Sequence, residues 1–356
     1  MNHRVGVLVL VVLLLGLAAH AAAAPPPSGP RLAISVFSDG PGGEDESSGV
    51  ITTGPSGEDP QRLVGGSGGS LGDSLSWSAD GEVLALPVSG VDSTASGRFG
   101  SGWSVVGTVR ADGSGMRVFP RAFLNTGDPV MAPDGASAVF QRLKLVKTLP
   151  GRENYLFKSS IWRLDVEDGS VSRLTRWRLA GFLEPISYLP DGSALVADLV
   201  DRRGDRIVAI DLHTHRSHRL ALLGRYVSEP TYSPDGTKLA FVRLKRAQTM
   251  LPEPEHPVSE LMVARADGTH ARRVLRVKGY ISFPSWDPSG SRLAFTRDPP
   301  AEATGGLEPE FGNKVMAINA DGTCLTRVFT DPSMTLSGTA WLPGPGREAG
   351  RISCPG

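Results

Sequence analysis

Apolar residues in this chain fall into many short runs. Some runs alternate with polar neighbours, others are apolar throughout, as from Leu239 to Val242 after Lys238, and all are too short for helices. Turn signals separate them: Asp80-Gly81, Asp134-Gly135, Asp191-Gly192 and Asp235-Gly236. Glycine and aspartate tolerate the positive φ that tight hairpins need, so the pattern predicts antiparallel strands joined by hairpins.

The runs repeat. "LSWSADGEVLAL" from Leu75, "PVMAPDGASAVF" from Pro129, "ISYLPDGSALVA" from Ile186, "PTYSPDGTKLAF" from Pro230 and "PSWDPSGSRLAF" from Pro284 share one layout. A bulky residue (Trp77, Met131, Tyr188, Tyr232, Trp286) precedes each turn, and Trp341 supplies a sixth, at intervals of roughly 44 to 57 residues. A second series keeps step with it: Arg62-Leu63, Arg117-Val118, Arg173-Leu174, Arg219-Leu220, Arg273-Val274 and Arg327-Val328. Two series of equal number and period define six units.

Each unit reads as four strands, so the expected fold is all-β, a six-bladed β-propeller of four-stranded blades. A single such sheet cannot bury both faces, and the blades must therefore stack around an axis. Arg31-Leu32-Ala33-Ile34 reads like Arg292-Leu293-Ala294-Phe295, the second strand of a unit, with no first strand before it. The missing strand reappears as "GTAWLPG" around Trp341. The last blade is thus expected to take strand one from the C-terminus and strands two to four from residues 31 to 64. The expected organisation is a signal peptide over 1–24, a Pro-rich linker over 25–30, a propeller over 31–343 and a tail over 344–356.

The "SPDGxxLAF" repeat, best preserved from Ser233 to Phe241, resembles the WD-repeat-like units of the TolB-like six-bladed propellers. The resemblance implies the fold over essentially the whole mature chain and does not imply a particular activity. It departs from the name-giving member, which carries an extra N-terminal α/β domain ahead of its propeller.

The first residues change where the protein is expected to work. His3 and Arg4 precede an uncharged apolar run from Val5 to Ala19, small residues follow to Ala24, and Pro25-Pro26-Pro27 ends the segment. That is the layout of a secretory signal, and the run is short for a membrane span of about 20 residues. A secreted, periplasmic or cell-envelope protein without a membrane span after signal removal is expected, an uncleaved anchor being the alternative. With 37 basic and 37 acidic side chains the chain has no net charge, which gives no electrostatic case for nucleic acid, and no nucleic-acid partner is expected. In an oxidising compartment the two cysteines, Cys324 and Cys354, are expected to form a disulfide that pins the closing strand. The chain is expected to be a monomer.

Three constellations are candidates for chemistry. Gly72-Asp73-Ser74-Leu75 spells the nucleophile motif of GDSL esterases, and Asp267-Gly268-Thr269-His270 resembles their D-x-x-H. In a propeller the two fall at opposite ends of a blade, so nucleophile and base cannot meet and no catalytic residue is assigned. His213, His215 and His218 have spacing that suits zinc or copper, but they fall on an exposed turn. Asp73, Asp128, Glu184 and Glu229 stand a few residues before the bulky residue of blades one to four. Strand one lines the channel of a propeller, so these four carboxylates are expected as an arc at its mouth, suited to calcium, another hard cation or the basic groups of a ligand. The bland alternative is four solvated acids beside turns. Blades five and six have Ser282 and Ser337 in their place.

The connections between strands two and three (89–102, 143–158, 245–259 and 298–313) are long, and loops of that length commonly bind something or are disordered. Lys147, Arg152, Tyr155, Phe157 and Phe311 on them would make a partner surface. The reading is an exported, non-enzymatic scaffold that binds a protein or small ligand at its long-loop face, with no resident cofactor, calcium being the one admitted. The alternative is a metal-dependent hydrolase or lactonase that uses the carboxylate arc, by analogy with six-bladed lactonases.

Overall fold

The structure is a computed structural model that describes residues 29–38, 47–65, 70–90, 103–124, 128–148, 155–176, 178–179, 182–189, 191–201, 204–221, 223, 227–244, 258–298, 314–344 and 346–354. The proposed signal segment lies outside them. No helix among the described residues is long and apolar enough to cross a membrane.

Six antiparallel sheets make up the fold, each ordered from an inner strand one to an outer strand four. Blade four shows the plan: Val227–Tyr232, Lys238–Leu244, Val258–Arg265 and Arg272–Lys278. Blade five repeats it with Tyr280–Trp286, Arg292–Asp298, Lys314–Asn319 and Thr326–Thr330. Blade three does so with Phe182–Tyr188, Ala194–Asp201, Gly204–Asp211 and Ser217–Ala221. Strand one of blade one is broken into Ser70–Leu71 and Ser76–Trp77, and the outer strand of blade two into Val171–Arg173 and Arg178–Leu179. Blade six joins the two ends of the chain. Thr335–Trp341 pairs with Leu32–Ser38, with Leu32 opposite Trp341 and Phe37 opposite Thr335, and Ser47–Thr53 and Gln61–Gly65 complete the sheet.

The repeated turn has a local cause. Ser233 Oγ donates to Asp235 Oδ1 at 2.6 Å and accepts from the Lys238 amide at 2.9 Å, which closes the hairpin around Gly236 at φ 69°. Ser78, Asp80 and Gly81 (φ 71°) do the same in blade one. Between turns the second and third strands are apolar on both faces, because each blade is sandwiched by its neighbours. Leu239, Ala240, Phe241, Leu261, Leu293 and Phe295 are at most 1% exposed. Blades are also stitched by serines of strand three: Ser159 Oγ accepts from the Leu183 amide at 3.1 Å, and Ser259 Oγ donates to the Gly279 carbonyl at 2.9 Å.

One sequence expectation is corrected. The stretch 143–158 was expected as a connection, yet its ladder runs on through Leu143–Ser159, Lys144–Lys158 and Leu145–Phe157 to Thr148–Tyr155. Strands two and three of blade two, Ser137–Thr148 and Tyr155–Asp165, are therefore longer than their counterparts. The reason is visible in "RLKLVKT", whose apolar and basic residues alternate near period two, a strand pattern rather than a loop pattern.

Candidate functional site

A central channel with a cavity volume of about 830 Å³ is walled by strand one of all six blades. Its upper end lies where these strands begin and its lower end at the turns into strand two, where Pro133, Pro234, Pro288 and Pro343 form the wall. Trp77, Met131, Tyr188, Tyr232, Trp286 and Trp341, the repeat's bulky residues, line its length. All four predicted carboxylates, Asp73, Asp128, Glu184 and Glu229, face this channel from blades one to four, and Asp198 joins them from strand two of blade three.

These acids do not occupy one register position. Glu229 stands three residues before Tyr232, where blade five has Phe283 and blade six Gly338. All three have left-handed backbone, at φ 52°, 53° and 58°, and the ladder slips there in each blade, between Ser228 and Thr231, between Ser282 and Ser285, and opposite Ile34/Ser35. Such a bulge re-aims a side chain out of the strand's alternation. Left-handed backbone at a non-glycine residue costs of order 1–3 kcal/mol and is held only by its surroundings. Here the hold is explicit: the Phe283 amide donates to Glu229 Oε2, and Thr339 Oγ1 donates to the Phe283 carbonyl at 2.6 Å. At Gly338 a Cβ would lie 1.6 Å from the Asp73 carbonyl oxygen, so only glycine fits. Next to it, Ser337 Oγ donates to Asp73 Oδ2 at 3.2 Å.

Protein surrounds the carboxylates and they face one another, so the charged form is disfavoured. Burial, reinforced by the charges of Asp128, Asp73 and Asp298, pushes Glu229 up to about 8 against the opposing Phe283 hydrogen bond. Burial, then Asp128 and Asp198, pushes Glu184 up to about 7. Glu184 and Asp198 are paired directly across the ladder, a like-charge placement that destabilises a sheet. Asp128 rises to about 6, chiefly by burial and also by Asp73, with Ser74 as the opposing hydrogen-bond donor. At neutral pH the channel therefore carries both negative charge and bound protons.

Asp198 and Asp298 were not anticipated from sequence. Asp198 lies in the middle of "ALVADLVD" and Asp298 ends "RLAFTRD", and an acid within a mostly buried strand two was the available signal. Among the described residues no three His, Cys, Asp or Glu side chains come together as a metal-holding group. His213, His215 and His218 are exposed on and beside the turn after Asp211, as expected. Ser74 is 7% exposed and sits in the channel wall beside Asp73, whereas His270 is exposed in the turn after Arg265. In blade four Val227 pairs with Arg243 and Arg243 with Glu260, while Tyr232 reaches Ala264 through Leu239. Strand-one starts and strand three-to-four turns thus lie at opposite ends, and the esterase-like pair is separated by the height of a blade.

Of the expected partner surface, Lys147, Tyr155 and Phe157 fall on the extended ladder of blade two. Arg152 and Phe311 lie outside the described residues, as do most of the other long connections. The cysteines are joined as expected: Cys324 and Cys354 form a disulfide with Cα atoms 5.0 Å apart.

No family model matches the chain, and no curated protein matches it. Solved structures do. TolB from Acinetobacter baumannii superposes with a TM-score of 0.63 at 18% identity, over 88% of this chain and 67% of that one. A protein assigned as TolB from Agrobacterium tumefaciens gives 0.50 at 18% identity, over 85% and 89%. A chain of a nidogen–laminin complex gives 0.55 at 10% identity, over 88% and 98%. At such identities the likeness is one of architecture: this chain is a TolB-like six-bladed β-propeller in fold.

Proposed function

We propose that the protein is an exported, non-enzymatic scaffold that binds a ligand carrying positive charge at the upper mouth of its channel. The observation that supports this reading is the convergence of Asp73, Asp128, Glu184, Glu229 and Asp198 on one water-accessible cavity in a chain whose overall charge is balanced. Like-charged groups held together at a cost to the free protein are relieved when a cation enters, and that relief is binding free energy. The ligand is a basic side chain of a partner protein or a small organic cation, and the protein works as a monomer. Export agrees with the disulfide and with the proposed signal segment.

The metal-dependent hydrolase reading rests on the same carboxylates, so one experiment separates the two. Mature protein is titrated with calcium and, separately, with spermidine, and thermal unfolding is followed at pH 7.5. Spermidine raises the midpoint and Glu229→Gln reduces that response if the channel takes organic cations. A rise with calcium alone at micromolar concentration, lost in chelator, overturns this reading in favour of a metal site. No response to either removes the channel as a cation site.

A further inference from the structure

After Trp341 the chain stays with the propeller. Pro343, Gly344 and Glu348 belong to the wall of the lower mouth. Arg347 Nη1 donates to the carbonyl of Pro343 at 2.8 Å and to that of Asp80 at 3.1 Å, in the lower turn of blade one. Gly350 then donates to Asp287 Oδ2 at 3.2 Å, in the matching turn of blade five. The buried Asn319 exchanges two hydrogen bonds with Ile352, of 2.8 and 2.9 Å, and Arg351 pairs with Asp321 at 2.5 Å. Ala349 and Ile352 pack against the core of the closing blade, and the Cys324–Cys354 bond ends the path. The segment thus reaches from blade one to blade five beneath the blade that closes the ring, and passes the lower mouth of the channel on the way.

We propose that residues 346–354 form a disulfide-latched strap at the lower mouth. Closed, the strap narrows that end and sets the Glu348 carboxylate at its rim, so the channel is served from the upper mouth. Two features separate a latch from a mere staple of the closing strand. Thr335–Trp341 has its own ladder to Leu32–Phe37, and among the described residues the backbone hydrogen bond that extends it, Leu342 to Arg31, comes before the strap begins. The bond is also within reach of solvent, since Cys354 is exposed and Cys324 partly so, and exposed disulfides are the ones that exchange. Opening is a thiol–disulfide exchange: a dithiol reductant supplies two electrons and two protons, Cys324 and Cys354 become thiols, and the reductant becomes a disulfide. The strap then hangs on its contacts with Asn319, Asp321, Asp287 and Asp80 and on the packing of Ala349 and Ile352.

The test is hydrogen exchange read by mass spectrometry on the full mature chain, oxidised and reduced with dithiothreitol, and on the Cys324→Ser/Cys354→Ser variant. The expected result is at least tenfold faster exchange at the Arg347, Gly350 and Ile352 amides, with the Leu32–Ser38 and Thr335–Trp341 amides unchanged. Acrylamide quenching of the channel tryptophans Trp77, Trp286 and Trp341 should rise in parallel. Tail amides that keep their protection after reduction overturn the proposal. So does exchange that accelerates in tail and closing ladder together, or a variant that fails to fold, since either makes the bond a staple of the blade. None of these readouts uses a ligand, so the strap and the cation-binding reading stand or fall separately.

Discussion

The aspartates of the lower turns and the acids of the upper channel are the same chemical groups placed in opposite circumstances. Asp112, Asp168, Asp191, Asp211, Asp235, Asp267 and Asp321 sit in exposed or lightly covered turns and are held below the ordinary carboxylate range by hydrogen bonds from neighbouring Ser and Thr hydroxyls and backbone amides. Asp128, Glu184 and Glu229 are raised, first by burial and then by the aspartates around them. The turn acids belong to the repeat and build it, whereas the channel acids interrupt the repeat and strain it. In a molecule assembled from near-copies, the residue that breaks the pattern at a converging position marks the site.

The two groups give opposite pH dependences, and the largest expected effect tests them together. Acids raised in the folded state hold extra protons there, so their contribution is full below the unfolded value of about 4 and is lost as pH rises from there to the folded values of about 6, 7 and 8. Depressed turn acids contribute above their unfolded value and lose that contribution as pH falls below about 4. Urea unfolding should therefore show a maximum near pH 4, with a loss of at least ~3 kcal/mol between pH 5 and pH 8. Glu229→Gln should recover about 2 kcal/mol of that loss at pH 8 and change little at pH 5. A flat profile between pH 5 and 8 would sink the contrast.

Gly338→Ala probes the backbone that brings Asp73 beside the closing blade. With a left-handed φ and a Cβ 1.6 Å from a carbonyl oxygen, the substitution should cost about 3 kcal/mol and lower the thermal midpoint at every pH. A loss seen only above pH 7 would mean that charge, not sterics, governs the position. In the turns, Asp235→Ala should cost about 1 kcal/mol at pH 7, because it removes hydrogen bonds to Ser233, Thr237 and its amide. The cost should shrink towards pH 3, where the wild-type turn weakens as well. Smallest is Ser282→Asp, which adds an acid to the arc in blade five. Near pH 8 it should destabilise by less than about 1 kcal/mol and strengthen spermidine binding a few-fold.

The ring was legible because it is written redundantly. Six bulky residues, in-phase Arg-apolar pairs and Asp-Gly turns each report the same period, and an end that starts at strand two demands a strand from elsewhere. The four channel acids were legible too, since strand one must face the axis. Their geometry was not, because Glu229 and Phe283 adopt a conformation their residue types disfavour, imposed by contacts with the next blade. Asp198 and Asp298 stayed hidden because they lie on strand two, opposite Glu184 and Tyr280, and the repeat pattern marks only strand one as facing the axis. The extended ladder after Leu143 was not legible because its basic residues and interleaved aromatics also fit a surface connection.

Closure by the two chain ends has a consequence in time. Leu32–Ser38 is made early, and its partner Thr335–Trp341 follows only some 300 residues later. At a synthesis rate of ~5–20 residues per second, the inner edge of the first sheet stays unpaired for on the order of 15–60 s. Throughout that interval it presents a row of free amides and carbonyls to any other extended chain. A nascent chain stalled before Thr335 would carry five near-complete blades and one open edge, the shape of a template for association rather than of a shortened propeller.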